Sequence, residues 1–384
     1  MYKKNVLINN VNLNTIYNNC HSSALIFTIG AGTRDELVDE LGAAHLVEHL
    51  IANNINSAFK TNFGVWVNGF TTRDHIVILV NCFKRNSINV INYVKNILVS
   101  WSNGILSFDN EIMDIEIQRI EREYTRILDS NDILRRENVI NRISKDCGIE
   151  CKQQYVTNLN GSYSIDSYVK RHAFVKKNIY FAGNIKDKVL LNIFNDNKII
   201  SLAGKITKYM PSLDDMHLKI PYECGITAGI PLSINTIMDY TLCELFTCIL
   251  RRAEVEGSEI KVKDVKLKII TSKAFIIIEF ESALKQVDSV KKTLDDVTSY
   301  ISAVLDQTKD SKFLDENKNT FGLAFSQQLD SSHFQVMLVY KLSLIPILDF
   351  HMNDFFFCLE CIDSNCINKF CNNILSDKNH FIIA

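Results

Sequence analysis

Two stretches of this chain read as hairpins of alternating strands: FGVWVNGFTT followed by HIVILVNCF in the first half, and VKLKIITSKAFIIIEFES in the second. The same kinds of element surround both. A β-rich run comes first (SALIFTIGAG; ECGITAGIPL), then a helix (roughly 37–54; NTIMDYTLCELFTCILRRAEVEG, ending at Gly257), then the hairpin, then helices. SINVINYVKNILVSWS carries Ile88, Ile91, Val94, Ile97 and Leu98 at helical spacing, and QVDSVKKTLDDVTSYISAVL is amphipathic. Strands that arrive in adjacent pairs and helices that arrive in groups give an α+β fold: two repeated α/β sandwich domains, each a mainly antiparallel sheet covered by helices. The repeat lies in the element order, without residue-level self-similarity. A length of 384 residues is enough for two cores. The polar region near 200–215 sets the expected domains at 1–205 and 206–384.

Only 4 prolines and 14 glycines punctuate the chain, so elements are long and loops are marked by Asn, Asp and Ser. A net charge of −2 with 22% charged residues gives no support for nucleic-acid binding or a polybasic membrane contact. The first twenty residues lack an apolar secretory core, and VMLVYKLSLIPIL is too short to span a bilayer and contains Lys341 and Pro346. No transmembrane segment is expected. The 11 cysteines are scattered and odd in number, so reduced thiols in the cytoplasm are expected. Four of them, Cys358, Cys361, Cys366 and Cys371, follow no standard ligand spacing and read as small core residues before they read as a metal site.

Three ionisable side chains interrupt the apolar run GAAHLVEHLIANN: His45, Glu48 and His49. On a helix, positions i, i+3 and i+4 share a face. The two imidazoles can then hold one metal ion, and a carboxylate close to it can take a proton from water. The pattern is H-x-x-E-H. Catalytic zinc normally takes three protein ligands. DIEIQRIEREYTRIL offers Glu116 and Glu123, seven residues apart and so on one helical face, with Ile120 between them.

With these residues the chain resembles the pitrilysin/insulinase family of zinc metallopeptidases, including compact bacterial members and the mitochondrial processing peptidase β subunit. The resemblance implies that His45, His49 and Glu123 are zinc ligands, that Glu48 is the general base, and that Glu116 supports a ligand. Glu121 is the rival third ligand, though it breaks the seven-residue spacing. AGTRDELVDELGAAHLVEHL looks like the family's lead-in. VNGFTTRDHIVILV looks like its Asn-Ala-x-Thr strand, with Asn68 and Thr71 matching as a substrate strand and Gly69 in place of Ala. KKNIYFAGNI looks like the strand that closes the first repeat. No second H-x-x-E-H is present, as expected for the family's silent second repeat. The family's substrate-contacting Arg and Tyr find no match.

The expected activity is that of a metalloendopeptidase with one Zn2+ per chain, hydrolysing short or unfolded peptides. Processing of a precursor peptide such as a bacteriocin is a narrower form of it. The alternative is a non-catalytic partner subunit or interaction protein of the same fold. Two repeats are half of the four that enclose a chamber in the family. The working unit is therefore expected to be a homodimer or a heterodimer with a related chain.

Overall fold

The computed structural model describes residues 3–8, 11–61, 64–146, 161–195, 199, 225–270, 273–282, 290–347, 350–375 and 382–383. The first part builds β1 (Lys3–Ile8), β2 (Val11–Tyr17), β3 (Ser22–Ile29), α1 (Ala43–Ala58), β4 (Val65–Thr71), β5 (Ile76–Phe83), α2 (Ser87–Ser102), α3 (Asn110–Leu128), α4 (Asn131–Asp146), α5 (Gly161–Arg171), β6 (Lys177–Gly183) and α6 (Asp187–Phe194). The second builds β7 (Ile226–Leu232), α7 (Ile237–Arg252), β8 (Ile260–Ile270), β9 (Lys273–Ser282), α8 (Val290–Gln307), α9 (Ser311–Leu329), α10 (Ser332–Ser343), α11 (Met352–Cys361), α12 (Ser364–Leu375) and β10 (Ile382–Ile383).

The strands form two sheets, in the orders β1-β2-β6-β3-β5-β4 and β10-β7-β9-β8. Every described pairing is antiparallel except β2 with β6. The repeat expected from element order is visible in the pairing. In each sheet the strand before the helix pairs with the second arm of the hairpin, giving β3-β5-β4 and β7-β9-β8. The fold is α+β, with helices covering mainly antiparallel sheets.

Two compact units emerge, and they are interleaved in sequence. One contains Met1–Thr125, Lys152–Asp214 and Gln328–Lys341; the other contains Arg126–Cys151, Asp215–Gln327 and Leu342–Ala384. The expected boundary at 205/206 lies outside the described residues. In the second unit, α4 packs against β7, and Arg136 on α4 pairs with the buried Glu279 of β9.

In the first unit the sheet is buried on both faces. Residues directly opposite one another share a face, so register sorts them. Leu25, Phe27, Ile78, Val80, Ile179 and Phe181 join the helix-side core with Leu46, Leu50, Val94 and Trp101. Ile26, Leu79 and Tyr180 point the other way and are also buried. Much of α10 lies over that second face. Tyr340 stacks edge-on with Phe70 and Tyr180, and His333 meets Asn81 and Trp66. Asn18 Nδ2 donates to Ser332 Oγ and, at 2.7 Å, to Gln335 Oε1.

Several local expectations shift. Helix α1 begins at Ala43 rather than near 37, because 33–35 and 38–40 are short 3-10 turns and Gly42 breaks the chain direction with φ 88°. Helix α7 ends at Arg252, five residues before Gly257. There Ala253 turns extended into the second core, and its carbonyl accepts from Tyr300 instead of continuing the helix. On α2, Ile88 is exposed, and Val90 and Trp101 take core places beside Ile91, Val94, Ile97 and Leu98. Among the described residues the C-terminal cysteines do not gather as a donor group: Cys358 and Cys371 are buried, Cys366 is half-buried and Cys361 is exposed.

Gln335 is fully buried, accepts from Asn18 and donates to Leu329 O at 2.6 Å. Gln335→Ala takes this donor from the Leu329 carbonyl and leaves Asn18 Nδ2 with Ser332 alone, so it should cost about 1–3 kcal/mol in urea unfolding. An unchanged midpoint would mean that α10 does not sit on this sheet.

Candidate metal centre

Helix α1 presents His45, Glu48 and His49 because its other positions (Ala43, Ala44, Leu46, Val47, Leu50, Ile51, Ile55) are consumed by the core. Helix α3 starts where Asp109 Oδ1 accepts from Glu111 N at 2.8 Å, one of the two caps expected from SFDNE. Its buried stripe runs Met113, Glu116, Ile120. Glu116 therefore occupies an apolar position and is only 1% exposed.

That buried carboxylate makes three hydrogen bonds. Oε2 accepts from His49 Nδ1 at 3.0 Å, and Oε1 accepts from Asn53 Nδ2 at 2.8 Å and Arg119 Nη1 at 2.7 Å. Burial alone would raise its pKa, but the bonds from Asn53 and His49 and the Arg119 charge outweigh it and hold the carboxyl below its ordinary value. An ionised carboxylate can only accept, so Nδ1 of His49 carries a proton and the tautomer it favours is the one that offers Nε2 as a ligand.

Two turns on, Glu123 Oε2 lies 3.8 Å from His45 Nε2 and 3.8 Å from His49 Nε2. The imidazoles are edge-to-face with centroids 4.7 Å apart. One donor atom from each of His45, His49 and Glu123 lies within 4.8 Å of the others. Ligands at about 2.0–2.1 Å around a tetrahedral zinc stand about 3.4 Å apart, so the set closes on an ion with small side-chain movements. Glu121 is exposed and is not part of this donor group. Burial, then the neighbouring His49, pushes the His45 imidazole down to about 4, which keeps it neutral and able to ligate.

Glu48 is 5% exposed, with Oε2 at 3.9 Å from His45 Nε2 and 3.5 Å from Thr71 Oγ1. Burial raises its pKa to about 8; the charges of Glu123 and Glu116 add to the rise, and the Thr71 hydrogen bond opposes it. Strand β4 forms the wall behind it. A Cβ built on Gly69 would overlap Glu48 Oε1 and stand 2.7 Å from Cδ and 2.8 Å from Cγ. The missing methyl at Gly69 is thus the space in which the Glu48 carboxylate sits. Thr71 is on this face of β4, whereas Asn68 lies on the opposite face, exposed between Trp66 and Phe70. Strand β4 is the last in its sheet and pairs only with β5 among the described residues.

Three contributors escaped the sequence reading, Asn53, Arg119 and Glu36, and Gly69 entered it only as a replacement for Ala. Glu36 is 4% exposed and accepts from Gly42 N at 3.0 Å and Ala44 N at 2.8 Å. Asn53 and Arg119 were within reach of sequence reasoning, since they stand four residues after His49 and three after Glu116 on helical faces. Gly69 and Glu36 act across loops and strands and leave no such periodic trace.

Residues 14–146 match the family described as Insulinase (Peptidase family M16), a span that holds every donor above. No curated protein matches the chain by sequence. Among solved structures, a protease from Helicobacter pylori is similar with a TM-score of 0.74 at 13% identity, over 99% of this chain and 98% of that one. The first half of the periplasmic protease PqqL from Escherichia coli gives 0.68 at 16%, over 100% and 91%. A chain of complex III2 from Candida albicans gives 0.69 at 15%, over 99% and 95%. The fold is therefore shared by proteases and by a chain of complex III2, and the side chains on it must decide the chemistry.

Gly69→Ala should destabilise the chain by about 1–3 kcal/mol, because the new methyl evicts a buried carboxylate. In Glu48→Ala the same change should be nearly neutral, giving a coupling of similar size in a double-mutant cycle. Additive effects would refute the packing of Glu48 on Gly69.

Proposed function

We propose that this chain, whose residues 14–146 belong to the insulinase (M16) family of peptidases, is a zinc-dependent metalloendopeptidase acting on short or unfolded peptides. The observation that carries it is the convergence of His45, His49 and Glu123, with a buried carboxylate from the same helix beside them. Two imidazoles and a carboxylate are a donor set suited to one zinc ion with a position left open. Zinc bound there supplies Lewis acidity, making a water acidic near neutral pH and polarising a carbonyl.

The chain's own residues do the proton work. Glu48, its basicity raised by burial, takes a proton from the attacking water as the oxygen bonds to the scissile carbonyl carbon. It returns a proton to the amine nitrogen as the C–N bond breaks. Glu116 keeps His49 in the tautomer that offers Nε2. The free edge of β4 suits an extended peptide, which would pair through backbone groups and so favour unfolded substrates. Single-bond trimming of a precursor, as in bacteriocin maturation, is the narrower form of this proposal. The proposed site of action is the cytoplasm, on the scattered and odd-numbered cysteines of the sequence. No helix among the described residues is long and apolar enough to cross a membrane.

Elemental analysis of chain purified without chelator should find about one zinc per chain, and His45→Ala with His49→Ala should abolish it. Glu48→Gln should keep the metal and slow cleavage of a fluorogenic peptide by roughly 10²–10⁴-fold. Glu123→Gln should weaken zinc binding where Glu121→Gln does not; the reverse would move the third ligand. A zinc-free, inactive wild type would favour the non-catalytic partner subunit.

For the working unit we propose two chains, either two copies or this chain with a related partner, enclosing the peptide between them. Light scattering should give a dimer whose peptidase activity falls on dilution. A fully active monomer, indifferent to dilution and to a related chain, would refute the pairing.

A further inference from the structure

The two imidazoles are supported unequally. The ring of His49 is held at Nδ1 by Glu116. The ring of His45 stands edge-to-face with His49 and has Glu48 and Glu123 at 3.8–3.9 Å from Nε2, but no described residue makes a hydrogen bond to its Nδ1. Its orientation must come from the backbone that carries it. His45 is the third residue of α1, in the turn whose N–H groups have no partners within the helix. The N-cap, Gly42, has no side chain with which to cap. Both oxygens of Glu36 fill that role from six residues upstream, Oε2 on Gly42 N at 3.0 Å and Oε1 on Ala44 N at 2.8 Å. The second of these amides belongs to the residue immediately before the ligand. Burial pushes the Glu36 carboxyl up to about 8 while the two backbone donors pull against the rise. In either protonation state both oxygens can accept.

We infer that Glu36 is the positioning residue for His45: by bridging the Gly42 and Ala44 amides it fixes the first turn of α1, and so aims the His45 ring into the donor set before any metal arrives. Glu36 does through the backbone what Glu116 does for His49 through the ring. The inference rests on the zinc-peptidase reading above.

Zinc affinity measured against a competing chelator separates the possibilities, with Glu40→Gln as the control. Glu40 is a buried carboxylate of the same loop that pairs with Arg171 and accepts from Leu37 N, with no hydrogen bond to α1. Glu36→Gln has one acceptor and sets an NH2 group against the second amide. It should weaken zinc by about 10–100-fold. It should also change the visible absorption of the cobalt-substituted protein and lower kcat more than it changes KM. Glu40→Gln should lower thermal stability while leaving zinc affinity and the cobalt spectrum at wild-type values. Should Glu36→Gln fail to fold, Glu36→Asp keeps the carboxylate but is one methylene too short to span both amides, and should still weaken zinc by at least about threefold. Wild-type affinity and spectrum in a folded Glu36 variant would overturn the inference while the zinc reading stands, as would equal losses in the Glu36 and Glu40 variants. A wild type that binds no zinc would overturn both.

Discussion

One buried carboxylate ties together the two helices that carry the donors. Glu116 spans two successive turns of α1, accepting from His49 and from Asn53, while Arg119 closes over it from its own helix. Glu123, further along α3, meets His45 and His49, which are earlier on α1. The helices therefore run in opposite senses across the site, and the Glu116 contact sets their register. One residue of helix is a rotation of about 100°, so a slip of one residue at Glu116 would turn the Glu123 oxygen away from both rings. The cost of burying a charge at 1% exposure is met by three donors, without which an apolar residue would suit that stripe better.

What the sequence made legible is what helical and strand periods encode. His45, Glu48 and His49 share a face by spacing alone, as do Glu116 and Glu123, and both hairpins are written in alternation. Asp109 is a readable cap because it stands next to the helix it starts. Glu36 is not, because it reaches α1 across two 3-10 turns, and nothing in its spacing distinguishes it from Asp35, Asp39 or Glu40. Gly69 looks like a loosened strand position in the sequence. Only the approach of Glu48 from another element turns it into a fitted gap. Gly257 misled for the opposite reason: a glycine suited to a helix end was present, but the helix had already stopped where Tyr300 captured the Ala253 carbonyl. Asn68 and Thr71, joined in one strand motif, stand three positions apart, an odd step that sends them to opposite faces.

The acid–base character of the site follows from the same packing. Two carboxylates of the same site are driven in opposite directions. Glu116, with three donors, is held ionised, while Glu48, with one long contact to Thr71 and two negative neighbours, is pushed up to about 8. Burial sets the scale for both, and the number of donors decides the direction. The proposed chemistry needs one fixed anion and one proton carrier, and glutamate can serve as either according to what surrounds it.

The interleaving of the two units has a consequence for the newborn chain. The six strands of the first sheet are all made once Gly183 has been added, yet helix α10, which lies on the sheet's second face, begins at Ser332, 149 residues later (332 − 183). At about 5–20 residues per second, synthesis takes roughly 7–30 s to cover that distance. Throughout it the face bearing Ile26, Leu79 and Tyr180 has no α10 against it. Each molecule thus passes through an interval on the ribosome as a half-clothed sheet, open to chaperones and to its neighbours on the same message.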